Sequence, residues 1–381
     1  MRWLETQATE AIPPAAKLAL LQKAIDARPG DARAYAQLGE ALLLLHRHQP
    51  AIEAFEAAAA RDPAGFAGWP LLAVCYLRTG RPAEALAACE RGHGRPGAQL
   101  HIQRGLALRA LRRFDEARAA FEAANALGDP SLGALKALLH PLAVKADGGP
   151  LLAYCDALDS RYRDTALVRA HRALALSRLG RTDEAGELVD LERHVRRVPL
   201  DSPFAGFNRA LAEEIARNPA PEAPPSEGFD ITYSPQTHAR PALSALLAMV
   251  RDAIGAYVED GAGLASLPPP PEAATLYSAS VILRRDGANG EHVHARGYVS
   301  TVYHVLVPEA VTRAGDDRGA LALGACEHYT RGYRPCWGVR HIKPVAGWLT
   351  LFPSHVFHDV VPSRSDDPRI SVSADLRPVR R

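Results

Sequence analysis

Proline returns through the first half of this 381-residue chain at a nearly constant interval, with Pro29, Pro63, Pro96 and Pro130 standing 34, 33 and 34 residues apart. A period of that length marks a stack of like supersecondary units, each too small to bury a core alone. Between the first two prolines the unit reads Tyr35, Leu38-Gly39, Leu42, Ala51, Phe55 and Ala58. A shift of 34 gives Trp69, Leu72-Ala73, Tyr76, Ala85, Cys89 and Gly92, and the next unit keeps Gly105, Leu108, Ala117, Phe121 and Ala124. Small residues let two antiparallel helices approach closely. The aromatic fills the gap to the next unit, and proline marks the turn before the following helix.

This pattern resembles the tetratricopeptide repeat. A half-unit at Leu21, Ala24 and Pro29 suits a capping helix. A degenerate later unit, with Leu179-Gly180-Arg181 and Glu184-Ala185, carries the expected solenoid to about residue 215. The resemblance implies an α-solenoid over 1–215 whose concave surface takes a protein or peptide. No catalytic set stands out in these repeats, so the domain is read as one of recognition. The plainer reading is an all-α bundle without a partner groove.

Composition narrows the function classes. Lys and Arg number 45 against 43 Asp and Glu, a net charge of +2, which gives no reason to invoke nucleic acid or an anionic membrane. Cys75, Cys89, Cys155, Cys326 and Cys336 are odd in number and form no CxxC, which fits free thiols in a reducing compartment. No stretch approaches the roughly 18 uninterrupted apolar residues of a membrane span, and Met1-Arg2-Trp3-Leu4-Glu5 meets charge at once instead of opening a signal sequence. The expectation is a soluble, cytoplasmic protein; nothing in the sequence indicates its oligomeric state.

The segment 216–228 is rich in proline (Pro219, Pro221, Pro224, Pro225) and lacks apolar periodicity, so it reads as a stiff linker to a second domain over 229–381. There, Leu243, Leu246, Leu247, Val250, Ile254 and Val258 predict a helix from Pro241 to about Val258. From Tyr277 onward the signal is strand, at 278–283, 299–307, 320–324, 348–352 and 369–376, with Gly, Pro and Asp in the turns. Many short strands and few helices predict a β-sandwich or barrel, a jelly-roll of about eight strands being the natural form.

The chemistry gathers in this domain. His292 and His294 stand two apart and, in extended backbone, point to one face as a ready pair of metal ligands. With 15 histidines in the chain, such a pair also arises by chance at a surface. The order sharpens it: His358 follows 64 residues after His294, in Phe352-Pro353-Ser354…His358, and Arg369-Ile370-Ser371 begins 11 residues later.

Residues 277–378 thereby resemble the 2-oxoglutarate/Fe(II)-dependent oxygenases, in particular the prolyl-hydroxylase-like bacterial and phage branch. The matching positions are His292, His294, Ser300, Tyr303, Gly347, Phe352-Pro353-Ser354, His358, Arg369 and Ser371. The resemblance implies a double-stranded β-helix in which His292, His294 and His358 bind Fe(II), leaving positions for 2-oxoglutarate and O2. It implies that Arg369 grips the distal carboxylate of 2-oxoglutarate, with Ser371 and Tyr303 adding hydrogen bonds. One position departs from the wider superfamily, which writes His-x-Asp or His-x-Glu where this chain has His294. A neutral imidazole leaves the site one unit more positive. Glu291 and Asp359 each point away from the neighbouring His in extended backbone. The site is then either a three-His iron centre or one with two protein ligands and a solvent molecule.

The activity implied is hydroxylation of a protein or peptide recruited by the repeats and held near the barrel mouth. Two other classes remain in view: a three-His, cupin-type dioxygenase working without the oxo-acid, and a non-catalytic adaptor. His304, alternating off the Tyr303 face, is read as packing or surface, and His355 as a loop residue. Cys326, Cys336 and His328 lack a fourth ligand at zinc spacing.

Overall fold

The computed structural model describes residues 14–94, 97–127, 132–158, 160–217, 229–234, 240–260, 267–288 and 290–379. They fall into two compact units, one over 9–140 and one over 141–220 with 224–381. Pro96, Pro130 and all but the first two residues of the expected 216–228 linker lie outside the described residues.

The first unit is built from α1 (Pro14–Ala27), α2 (Ala32–Leu44), α3 (His48–Arg61), α4 (Trp69–Arg78), α5 (Pro82–Arg91), α6 (Ala98–Ala110) and α7 (Phe114–Ala126), running into α8 (Leu132–Ala143). Asp31 caps α2 by accepting from the amides of Arg33 and Ala34 at 3.0 and 3.1 Å. Each hairpin turns through a left-handed residue, His46, Gly80 and Arg112 at φ 58, 72 and 63°. The next amide then reaches back into the preceding helix: Arg47 to Leu42, Arg81 to Tyr76 and Arg113 to Leu108, at 2.9, 2.8 and 2.9 Å.

Within a hairpin, the residue after Leu decides how close the helices lie. A Cβ on Gly39 would stand 2.6 Å from the Phe55 ring, and one on Gly105 2.5 Å from Phe121. The middle unit solves the same packing with the sizes shifted, Ala73 for Gly and Cys89 for Phe, and both are buried. The exchange compensates in direction only, since Phe to Cys gives up more volume than Gly to Ala returns.

The second unit begins with α9 (Gly149–Ala157), α10 (Ser160–Arg163), α11 (Ala166–Arg178), α12 (Thr182–Leu188) and α13 (Leu191–His194). The left-handed turn recurs at Gly180 (φ 71°), with Arg181 bonded to Leu176 at 3.0 Å, so the degenerate repeat is present as the α11–α12 hairpin. The solenoid expected to reach about 215 nevertheless ends, as a unit, near 140. The chain beyond α13 gives the reason: β1 (Arg196–Pro199) enters a sheet, and α14 (Phe207–Ala216) lies on that sheet.

The remaining elements are β2 (Phe229–Ser234), α15 (Pro241–Glu259), β3 (Ala274–Leu283), β4 (Val299–Leu306), α16 (Glu309–Thr312), β5 (Leu321–Leu323), β6 (Arg340–Ile342), β7 (Trp348–Pro353), β8 (His358–Val360) and β9 (Arg369–Pro378). They form a six-stranded sheet, β1-β7-β4-β9-β3-β2, and a three-stranded one, β6-β5-β8, antiparallel throughout. This is the antiparallel jelly-roll arrangement that the strand pattern predicts. β1, β2, β6 and β8 lie outside the expected strands; β1, β6 and β8, at three or four residues, are too short to show a period.

Directly opposed residues of an antiparallel pair share a face. Val299, Tyr303, Leu349, Leu351, Ile370, Val372, Ala374 and Leu376 share the outer face, buried in one cluster with Phe207 and Leu211 of α14 and Leu243, Leu246, Val250 and Ile254 of α15. At 19 residues α15 is long and apolar enough to cross a bilayer by composition, but it is a core helix carrying its buried stripe against this sheet.

His355, between β7 and β8, is buried, with its Nε2 at 2.7 Å from the Leu188 carbonyl. Burial, joined by the charge of Arg169, pushes its pKa down to about 3.

These packings can be tested one at a time. Gly105→Ala should destabilise the first unit by ~1–3 kcal/mol through overpacking against Phe121. The Gly105→Ala/Phe121→Cys double variant should lose less than the sum of the two single changes, in a denaturant-unfolding mutant cycle. For His355, the unfolded chain binds a proton near pH 6.5 and the folded chain only near 3. Stability should therefore fall as pH drops through that window and hold above it, and His355→Gln should flatten the slope in a pH series of melts.

Candidate metal centre

His292 and His294 lie just ahead of β4. They are not in a strand: a single bridge joins His292 to His358 at the start of β8, with both amide-to-carbonyl distances 3.0 Å. The His294 amide bonds the Ser354 carbonyl at 3.2 Å, which brings the segment against the end of β7. The three rings meet with centroids 5.1, 4.3 and 4.8 Å apart, and one ligand atom from each lies within 4.8 Å of the others.

Their tautomers follow from their acceptors. His292 Nδ1 donates to the Gly290 carbonyl at 2.8 Å and His358 Nδ1 to the Val356 carbonyl at 3.0 Å. His294 Nδ1 donates to the carboxylate of Asp375. With Nδ1 protonated on each ring, the Nε2 lone pairs remain for coordination. The Nε2 atoms of His292 and His294 face each other at 3.1 Å, an arrangement of two lone pairs that a cation between them makes favourable. Burial, reinforced by the two neighbouring imidazoles, holds His358 neutral well below its ordinary pKa. The donor set fits a divalent metal of the Fe(II) or Zn(II) kind.

Asp375 completes this arrangement. Its Oδ1 also accepts from Ser300 Oγ at 2.8 Å, and Ser300 in turn bonds Ser354 Oγ at 2.7 Å. Arg377 donates to its Oδ2 at 3.2 Å. Burial raises the Asp375 carboxyl, but the bonds from His294 and Ser300 and the charge of Arg377 outweigh it, and the group sits below its usual range. Gly297 makes room for the network, since a Cβ there would lie 2.2 Å from Ser354 Oγ.

The same inner face continues along β9 to Ser371 and Arg369, both buried. Arg369 is 1% exposed and burial alone pulls its pKa down to about 10. No carboxylate pairs with it among the described residues; its contact is His304 Nδ1 at 3.5 Å, and its Nε has no partner. His304 Nε2 is likewise unpartnered, and burial with the charges of Arg369 and Arg197 keeps that ring neutral. A buried guanidinium without a counter-ion is costly, and the cost is offset when a ligand carboxylate supplies the missing charge.

Tyr303 is a correction. Expected beside Arg369, it instead faces the helix-covered core and donates to Asn208 Oδ1 of α14 at 2.7 Å. Ser300 pairs with Asp375 and His304 with Ser371, so the even positions of β4 face the site and the odd ones turn away. His304, read from sequence as packing or surface, takes the inner place. Glu291 and Asp359 do turn elsewhere: Glu291 accepts from the Tyr329 amide at 2.7 Å, and Asp359 from the Val360 amide at 2.6 Å. Asp375 and His304 were missed, although β9 announces its inner face by strict alternation, Arg369, Ser371, Ser373 and Asp375 against Ile370, Val372, Ala374 and Leu376.

Residues 278–375 match the family model of 2OG-Fe(II) oxygenases. The match covers about a quarter of the chain and supports an oxygenase at family level; that family implies Fe(II), 2-oxoglutarate and O2, and the His triad is compatible with them. Residues 15–114 match the model of a bacterial transcriptional activator domain. The chain is similar in structure to a prolyl-4-hydroxylase of Pseudomonas putida, at 23% identity and TM-score 0.36, covering 50% of this chain and 96% of that one. It is similar also to a Trichoplax adhaerens prolyl hydroxylase solved with a hypoxia-inducible-factor peptide, at 14% identity and TM-score 0.34, covering 52% and 91%. A thermophilic TPR protein of Thermus thermophilus matches at 25% identity and TM-score 0.28, covering 45% and 77%. No curated protein matches the chain.

The two faces of β4 make a paired prediction. Tyr303→Phe should cost ~1 kcal/mol of stability through the lost bond to Asn208 and leave 2-oxoglutarate affinity unchanged. His304→Leu should weaken that affinity, in parallel melts and binding titrations.

Proposed function

We propose that the protein is an Fe(II)- and 2-oxoglutarate-dependent hydroxylase acting on a protein or peptide held by its repeat unit. The observation that carries the oxygenase reading is Arg369, a buried cation with no carboxylate partner among the described residues, on the same strand face as the carboxylate that orients His294. Fe(II) held by the Nε2 atoms of His292, His294 and His358 would supply the activation of O2, coupled to oxidative decarboxylation of 2-oxoglutarate.

The chain's own residues then have separable tasks. The Gly290 and Val356 carbonyls and Asp375 hold the three imidazoles in the ligating tautomer. Arg369 takes the distal carboxylate of the co-substrate bidentately, with Ser371 and His304 beside it on the inner face. Phe352, its ring centroid 5.0 Å from that of His358, covers one side of the centre and limits water there. A cupin-type centre without the oxo-acid has no use for the buried Arg369, and a non-catalytic adaptor has none for three imidazoles held in one tautomer.

Recruitment by the repeats is supported by a cavity of about 590 Å³ in the first unit, lined by Trp69, Leu72 and Tyr76 with Glu56, Glu84 and Arg91. An aromatic floor with charges of both signs suits an extended peptide carrying a basic and an apolar side chain. The free cysteines support a reducing compartment such as the cytoplasm.

The test is anaerobic titration of Fe(II)-loaded protein with 2-oxoglutarate, followed by the weak visible charge-transfer band of a chelated oxo-acid. Wild type should develop the band. Arg369→Ala should need roughly a hundredfold more 2-oxoglutarate, the loss of two charge-assisted hydrogen bonds at ~1.5 kcal/mol each. Iron bound without a band would refute 2-oxoglutarate as co-substrate.

A further inference from the structure

A divalent cation held by three neutral imidazoles keeps its whole charge in a largely buried pocket, where desolvation is costly. Three-ligand centres of this geometry ordinarily include a carboxylate that cancels part of it. Among the residues near the triad, Glu291 and Asp359 turn to other partners. Asp375 alone of these three acidic groups reaches the centre, and does so through a ligand: it is 4% exposed and its carboxylate accepts the Nδ1 proton of His294.

We propose that Asp375 supplies through His294 the negative charge that a carboxylate ligand would otherwise bring. It is thus a positioning residue that fixes the ring and strengthens its Nε2 as a donor to a divalent metal. The inference rests on the metal reading of the triad above. Several observations argue for a built arrangement. Ser300 directly opposes Asp375 across β4 and β9, donates to the same oxygen at 2.8 Å, and lies with its Oγ 3.1 Å from His294 Nδ1. Ser354, in the turn that follows β7, holds Ser300 at 2.7 Å. Arg377 occupies the other carboxylate oxygen at 3.2 Å, so Oδ1 is the one turned to the imidazole. Two adjacent strands and the turn after β7 therefore fix one oxygen at one ring nitrogen. A carboxylate accepting the remote N–H of a ligating imidazole raises the basicity of the other nitrogen, and losing such a partner typically costs 10–100-fold in metal affinity.

The experiment uses the full chain and Co(II), whose d–d bands report ligand strength. Asp375→Asn keeps the shape and an oxygen that accepts from His294, removes the charge, and turns the Oδ2 that Arg377 bonds into an amide nitrogen. It should bind Co(II) about 10–100-fold more weakly than wild type, with shifted d–d bands and an unchanged circular dichroism spectrum. Ser300→Ala, which leaves the carboxylate in place, should lose less. Wild type loaded with Zn(II) supplies a check that needs no variant: ¹⁵N NMR should show His294 protonated at Nδ1, its proton far downfield and slow to exchange. A folded Asp375→Asn protein with wild-type Co(II) affinity and bands would overturn the proposal, as would His294 protonated at Nε2. Wild type that binds neither Co(II) nor Zn(II) would defeat the metal reading itself, and this inference with it.

Discussion

Everything polar in the centre depends on one sheet being sealed on one side. The outer face of β4, β7 and β9 is apolar and covered by α14 and α15. That burial anchors the strands strongly enough for their inner face to carry Arg369, His304, Ser300, Asp375 and Thr350, all buried. At roughly 25 cal/mol per Å² of apolar surface, the seal contributes far more than any polar bond opposite it. The strand period of two transmits this division residue by residue, so each inner side chain has its height set by an apolar neighbour held on the other side.

The centre distributes charge along a single strand. β9 carries at Arg369 a cation with no carboxylate partner among the described residues and, six residues on, an anion at Asp375 that touches a candidate ligand. The first asks for a ligand anion; the second lowers the effective charge of a ligand cation. A site that attracts a metal at one end and a dicarboxylate at the other needs that polarity, and one continuous strand keeps the spacing rigid. The repeats solve a different problem, close approach of helices, by setting a glycine against a large ring: Gly39 against Phe55 and Gly105 against Phe121.

Much of this was legible in the chain, because it is encoded locally. The period of 34 announces helical hairpins, and the hydrophobic stripe of 241–259 announces a helix. The spacing of His292, His294, His358 and Arg369 marks the region that matches the oxygenase family model. Alternation along β9 was there to be read as well. What misled was a side chain taken for its chemistry against its parity: Ser300 and Tyr303 are three apart in one strand and cannot both face the site, and Tyr303 went to Asn208.

The sequence by itself determined the longer helices and strands, the repeat and the identity of the three imidazoles, since hydrophobic period and motif spacing need no knowledge of distant residues. Only the tertiary structure decided that the helices after 140 join the sheet, that His304 stands by Arg369, and that Asp375 lies behind His294. These depend on strand register between segments 65 to 81 residues apart, and register is settled by which faces can be buried together, a property of the whole sheet and of no single stretch.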